Sequence, residues 1–243
     1  MKPLFLLAVF PVVLMGWMSC SRSGTGHAAL PDPRTVDKSV PEYKNPFHPS
    51  TYAHFVARKD YRKTYDVYKD DTLLNRQPKK SRKIFVCLDE QRGQYLVDGL
   101  VAMDFPLSSG VKAYPTKTGD YAVISKKEDH TSNLYGKMYD AEGKCINYNA
   151  ESTDPVPEGG RFDGSPMPYW QRLTNAGLGL HVGKVRRHPV SNGCVRLPRN
   201  VAEILYRQTS IGTPVTIQKT PLPVSEAQKI PPAQQQESEG RKQ

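Results

Sequence analysis

Between two apolar runs stands Asp98-Gly99, a dipeptide that turns a chain back on itself because glycine accepts the positive φ a tight hairpin demands. Before it, Lys83 to Leu88 and Gln94 to Val97 are apolar and β-branched; after it, Leu100 to Leu107 supplies the return strand. Ser108-Ser109-Gly110 and a loop through Thr118-Gly119 then lead to a strand from Asp120 to Ser125. Glu142 to Pro168 is a long Gly- and Pro-rich stretch to which no element is assigned. Leu178 to Val182 reads as a buried strand, Val201 to Gln208 as a short helix, and Val215-Thr216-Ile217 as the strand that closes the sheet. Many short strands with little helix predict a mostly-β sandwich or barrel.

This domain, residues 82–217, does not fill the 243-residue chain. Residues 21–81 are polar, basic and punctuated by proline, and read as a flexible linker. Within it, Tyr52, Phe55, Val56, Tyr61, Tyr65 and Tyr68 stand among many charges and predict one or two short helices packed on the outside of the domain. Residues 218–243 are Pro, Gln, Ser, Glu and Lys, too poor in apolar groups to offset the entropy of ordering, and read as a disordered tail. Residues 1–20 have one positive charge, an apolar run from Pro3 to Met15 and small residues near Ser19, the pattern of a secretory signal. Pro11 interrupts the run, which is short against the ~20 apolar residues of a membrane span. Cys20, at the end of that signal, resembles the lipidated cysteine of bacterial lipoproteins, although Trp17 and Met18 depart from that pattern. The expectation is therefore an exported protein of the periplasm or cell envelope, with Cys20 as a lipidation candidate and membrane association through the N-terminus.

Thirty-four basic against twenty-four acidic residues leave a formal charge of +10, which favours anionic partners. An export signal and the lack of any nucleic-acid motif exclude nucleic acid; a carboxylate-bearing wall polymer or an anionic membrane surface fits. With Cys20 processed, Cys87, Cys145 and Cys194 are an odd number for an oxidising compartment, so at least one thiol is free or pairs between chains. Cys87 lies in an apolar strand and reads as a buried small hydrophobe. Cys145 is open to the same reading or to a bridge with Cys87.

Cys194 stands apart. In Leu178-Gly179-Leu180-His181 the alternation puts both leucines on one face and His181 on the other. Downstream comes Ser191-Asn192-Gly193-Cys194-Val195-Arg196, where a glycine before the cysteine permits a turn that lifts the sulfur out of the sheet. The same turn leaves the Gly193 and Cys194 amides free to face a carbonyl oxygen, the geometry of an oxyanion hole. A thiol needs ionisation to attack, and a nearby imidazole with Arg186, Arg187 and Arg196 would lower its pKa. His188 is a second candidate base, ranked below His181 because it precedes Pro189 among charged residues. No CxxC or HxxxH spacing exists, so no metal and no organic cofactor is indicated. A papain-like peptidase would need its histidine downstream of the cysteine, the reverse of this order.

The segment Leu180 to Pro198 closely resembles the active-site signature of the L,D-transpeptidase (YkuD-type) family. Ile84 to Gly110, with Gln91, Asp98-Gly99 and Phe105-Pro106-Leu107-Ser108-Ser109-Gly110, is similar to that family's opening strands, and Pro115 to Tyr121 to its Thr-Pro-x-Gly-x-Phe/Tyr turn. Ser132 to Gly136 and Met167 to Trp170 resemble a subset with a short His-to-Cys loop. Asn192 stands where the family has His, and Lys117 where it has Pro. The resemblance implies a YkuD-like β-sandwich in which His181 activates Cys194 against the stem peptides of peptidoglycan. Terminal D-Ala would leave, and an amine acceptor would resolve the acyl-enzyme. That acceptor would be a second stem (3-3 cross-link), an outer-membrane lipoprotein or a D-amino acid. Gly193, Asn192, Ser191 and Arg196 would line the oxyanion and substrate positions. The alternatives are an L,D-carboxypeptidase that uses water and a non-catalytic peptidoglycan-binding lipoprotein.

Overall fold

The computed structural model describes residues 30–78, 81–225 and 228–229. The expected export signal, Cys20 and the expected disordered tail beyond residue 229 lie outside the described residues. The start of that tail is ordered instead, with Gln218 in the last strand and buried Gln228 bonded to the Val101 amide and carbonyl at 3.0 Å. The described residues from Pro31 onward belong to one compact unit.

In chain order the elements are α1 (Tyr52–Ala57), β1 (Tyr68–Lys69), α2 (Asp71–Asn75), β2 (Arg82–Cys87), β3 (Arg92–Val97), β4 (Leu100–Pro106), β5 (Gly119–Ala122) and β6 (Ser125–Lys127). Then come β7 (Thr131–Tyr139), β8 (Cys145–Glu151), β9 (Arg161–Pro166), β10 (Trp170–Arg172), β11 (Gly179–Val182), β12 (Val195–Leu197), α3 (Arg199–Gln208) and β13 (Pro214–Gln218). The fold is mostly β, as the strand pattern predicts. A six-stranded sheet runs β1-β4-β3-β2-β13-β5 and a four-stranded sheet runs β12-β11-β10-β6. Asp98 and Gly99 make the β3–β4 turn with φ of 52° and 81°, the two left-handed residues that match the twist of a two-residue hairpin.

One buried cluster joins the two sheets: Ile84, Val86, Tyr95, Val97 and Phe105 from the first, Leu180, Val195 and Leu197 from the second. Val201, Ala202 and Leu205 share one stripe of α3 and enter the same cluster. Fully burying an aliphatic or aromatic side chain of this size contributes about 1.5–3 kcal/mol, so this interface is the main source of stability for the frame beneath β11 and β12.

Two features depart from the sequence pattern. Asp120 to Ser125 is not one strand: β5 pairs with β13, and the chain then crosses to pair β6 with β10. The Gly- and Pro-rich stretch holds β8 and β9, which flank β7 in a separate three-stranded sheet. Its residues are largely exposed, Leu134, Ile146 and Tyr148 among them, so no alternation of buried and exposed side chains marks it in the sequence.

The two short helices expected before the domain are α1, capped by Thr51, and α2, capped by Asp70. α1 packs against the six-stranded sheet in a separate cluster with Val101. Leu73 and Leu74 of α2 enter the cluster between the sheets instead of lying outside it. α1 and the segment after it also share the sheet's buried polar chemistry. The Tyr52 and Tyr61 hydroxyls donate to Asp104 Oδ2 at 2.6 and 2.8 Å, while Asp104 Oδ1 accepts from Arg92 Nε. Arg92 in turn donates to the Asp66 carbonyl at 2.9 Å. Asp104 and Arg92 are both almost wholly buried.

Candidate active site

β11 and β12 are parallel neighbours with Leu180 opposite Val195, His181 opposite Arg196 and Val182 opposite Leu197. Laddered partners share a face and successive residues alternate. Because Leu180, Val195 and Leu197 enter the core, His181, Arg196 and, two residues earlier, Cys194 emerge together on the opposite face. That face opens on a cleft of about 930 Å³ lined by His181, Cys194 and Arg196, with Asn192, Gly193 and Ser191 beside them. About two strand residues (~6.6 Å) and one interstrand step (~4.8 Å) separate the His181 and Cys194 backbones.

His181 is buried, and its Nδ1 lies 2.7 Å from the carbonyl oxygen of Val182. A carbonyl only accepts, so Nδ1 carries the proton and Nε2 keeps its lone pair. Burial pushes the imidazole pKa down to about 4; Arg196 and His130 push the same way, and the Val182 carbonyl opposes them. The Cys194 thiol donates to the Gly177 carbonyl at 3.3 Å. Burial raises its pKa, while the Gly179 amide and Arg196 pull it back. Both groups are therefore neutral at rest: a thiol and, on the same face of the cleft, an imidazole with a bare nitrogen.

The cysteine turn is tied at several points. Gly193 has φ +108°, a conformation that glycine adopts without strain. Thr116 Oγ1 donates to the Gly193 carbonyl at 2.6 Å and accepts from the Gly110 amide at 2.8 Å. A Cβ on Gly110 would stand 2.8 Å from Gly193 Cα and 2.1 Å from the Tyr114 carbonyl, so only glycine allows this approach. The Ser191 hydroxyl donates to the Cys194 carbonyl. Among the described residues, the Gly193 and Cys194 amides donate no hydrogen bond within the protein.

The cleft has cationic walls, with Lys117, Arg172, Lys184 and Arg196 and no Asp or Glu among the described lining residues. Arg196 lies over Gly183, whose absent Cβ would stand 2.7 Å from its Cγ. It makes no ion pair among the described residues.

A family model for the L,D-transpeptidase catalytic domain (YkuD) matches residues 81–217, more than half of the 243-residue chain. The chain belongs to the L,D-transpeptidase family. It is 31% identical over 121 residues to the probable L,D-transpeptidase 3 of Mycobacterium tuberculosis, a match covering 47% of this chain and 38% of that protein. The chain therefore spans well under two thirds of that relative's length. Among solved structures, an L,D-transpeptidase from Mycobacterium smegmatis matches at 21% identity over 57% of this chain and 58% of its own, with a TM-score of 0.44. An L,D-transpeptidase (Yku) from Stackebrandtia nassauensis matches at 21% identity over 68% and 65%, with a TM-score of 0.43.

Against this L,D-transpeptidase frame, two expectations need correction. Arg186 and Arg187 do not line the cleft with Cys194. The Arg186 amide donates to Ser108 Oγ at 2.8 Å, and the Arg187 guanidinium turns away to the Gln91 carbonyl at 3.0 Å. Arg196 alone of the three acts on the thiol, and burial outweighs it, so the pKa of Cys194 is raised rather than lowered. His188 is exposed and is not among the cleft residues. Cys87, Cys145 and Cys194 are all free thiols. Cys87 is buried and donates to the Lys219 carbonyl at 3.0 Å.

Sequence reading missed His130 and the packing role of Trp170. Their rings lie 5.1 Å apart, and Trp170 lies 5.9 Å from His181. The Trp170 ring occupies the space where a Gly179 Cβ would sit, 2.4 Å away. This stack joins a loop, β10 and β11, so no local spacing announces it.

Proposed function

We propose that Cys194 is the nucleophile and His181 the general base of an exported enzyme that exchanges the terminal residue of a peptidoglycan tetrapeptide stem. One observation carries this reading: a neutral thiol and an imidazole with an unprotonated Nε2 share one face of a cationic cleft. As Sγ attacks the carbonyl before terminal D-Ala, its proton passes to His181 Nε2 and an S–C bond forms. The uncommitted Gly193 and Cys194 amides receive the oxyanion. Collapse breaks the C–N bond, and the imidazolium gives its proton to the departing D-Ala amine. An acceptor amine, deprotonated by His181, then attacks the thioester, and the thiolate leaves and is reprotonated. Arg196, with no carboxylate partner of its own, orients a carboxylate of the stem, and Asn192 offers its amide to the substrate.

Acceptors are a second stem, a D-amino acid or an outer-membrane lipoprotein. The N-terminal signal carries the chain to the periplasm, where Cys20 is the point of cleavage or lipidation. Incubation with purified tetrapeptide muropeptides, followed by mass identification, should show D-Ala release and a Cys194 thioester. Cys194→Ser should abolish both, and full activity in that variant would sink the mechanism.

A further inference from the structure

A line of hydrogen bonds runs from the segment before the catalytic domain to the cysteine loop. At its outer end, Arg187 Nη2 donates to the Arg62 carbonyl, and Nη1 donates to the Gln91 carbonyl at 3.0 Å. Gln91 then grips the strand exit after β4: its Nε2 donates to Ser109 Oγ at 2.8 Å, and its Oε1 accepts from the Ser109 amide at 2.9 Å. The Ser109 carbonyl accepts from the amides of Val190 and Ser191, at 2.8 and 3.0 Å. Ser191 closes the line with its hydroxyl on the Cys194 carbonyl.

Two observations mark this line as more than ordinary packing. Arg187 and Gln91 both hold left-handed backbone, φ 59° and 49°, although neither is glycine. Such conformations are strained for non-glycine residues and persist only where the surroundings over-determine them. Arg187 also carries a half-buried guanidinium onto backbone carbonyls, with its Nε left without a partner. The outer anchor lies in a segment that is itself tied down. Arg62 follows Tyr61, whose hydroxyl is bound to buried Asp104, and Arg92 holds the Thr64 and Asp66 carbonyls at 3.3 and 2.9 Å.

We infer that Arg187 and Gln91 are positioning residues that brace the Cys194 loop against the segment before the catalytic domain. This inference rests on the proposed role of Cys194. Without the brace the loop from Gly183 to Gly193 loses its hold on Arg62 and Gln91, keeps its ties to Ser108, Ser109, Val111, Thr116 and Leu197, and rocks about them. The sulfur then leaves its contact with Gly177, and the two amides lose their aim.

The test is Arg187→Met in the full chain, which keeps the aliphatic stem and removes both donors. Turnover of tetrapeptide should fall roughly 10- to 100-fold in kcat with KM little changed, since sub-ångström misplacement acts on chemistry rather than on binding. Site-resolved alkylation by iodoacetamide should accelerate at Cys194 and not at buried Cys87. Arg187→Lys, which retains the charge and one donor group, should fall between Arg187→Met and wild type. Tyr43→Phe removes a hydrogen bond of the same kind to the Ala57 carbonyl within this segment and should change neither readout. Wild-type kcat and wild-type Cys194 alkylation in both Arg187 variants would overturn the brace. Equal acceleration at Cys87 and Cys194 would do the same, because it reports general loosening. Should the unaltered chain release no D-Ala, the proposed function fails, while the alkylation comparison still decides the brace.

Discussion

Cys194 and His181, the proposed nucleophile and base, are both neutral, and that state has a pH signature. The imidazole pKa is pushed down to about 4 from an ordinary 6.5, chiefly by burial. The base is therefore competent well below neutrality, and the acid limb of kcat/KM should fall near pH 4 rather than near 6.5. A titration that places it at 6.5 would show an exposed imidazole. Stability follows the same group. Between pH 6.5 and about 4 the unfolded chain takes a proton that the folded chain refuses, so stability present above 6.5 is lost as pH falls through about 4. Urea unfolding of His181→Gln should show a shallower loss over that window than the unaltered chain. Asn192, exposed on the cleft wall, stands where the family has His. With His181 as the proposed base and backbone amides as the proposed oxyanion donors, Asn192→Ala should raise KM while kcat falls less than about tenfold, or roughly 1.4 kcal/mol of barrier. A collapse of kcat comparable to Cys194→Ser would place Asn192 in the chemistry itself.

At the scale of elements, the parallel β11–β12 pair carries the site, and the loops that cross it set the aim. A parallel pair keeps His181 and Cys194 on one face by register alone, and the core side chains Leu180, Val195 and Leu197 forbid a one-residue slip. The cysteine turn depends instead on a close approach of two glycines. Gly110→Ala would force backbone apart at the Tyr114 carbonyl and at Gly193. Overpacking of this kind costs about 1–3 kcal/mol. Activity should fall further than stability, because the displaced group bears the proposed oxyanion donors. Thermal melts alongside turnover would show it; wild-type turnover in Gly110→Ala would mean that the approach is incidental.

The described residues hold buried centres of two kinds, apolar and polar. The apolar clusters lie between the two larger sheets and between α1 and the six-stranded sheet. The polar one centres on Asp104, which joins Arg92, Tyr52 and Tyr61 and so ties the segment with α1 to the sheet. Losing one partner of a buried ion pair costs about 3–5 kcal/mol, whereas an exposed pair contributes about 0–1 kcal/mol. Asp104→Asn should therefore lower the urea midpoint strongly, while Asp163→Asn, at the exposed Arg161 pair of 3.2 Å, should barely move it. Equal shifts in the two variants would show that the buried pair is not the tie.

Short-range chemistry was legible in the residues themselves. Asp98-Gly99 prescribes left-handed backbone and so a hairpin; Leu178, Leu180 and His181 alternate and so separate core from cleft; Gly193 before Cys194 prescribes the turn. Each depends on φ, on alternation or on residue type, which neighbouring positions carry. Three other properties were settled by contacts between distant segments. The exposed β7–β8–β9 sheet lacks an apolar alternation, so pairing alone defines it. The position of the Arg186 backbone and the direction of the Arg187 side chain follow from Ser108 and Gln91, far away in sequence. The ionisation of His181 and Cys194 was set by burial, which the sequence does not state: nearby arginines suggested a lowered thiol pKa, but desolvation in the folded cleft outweighs them.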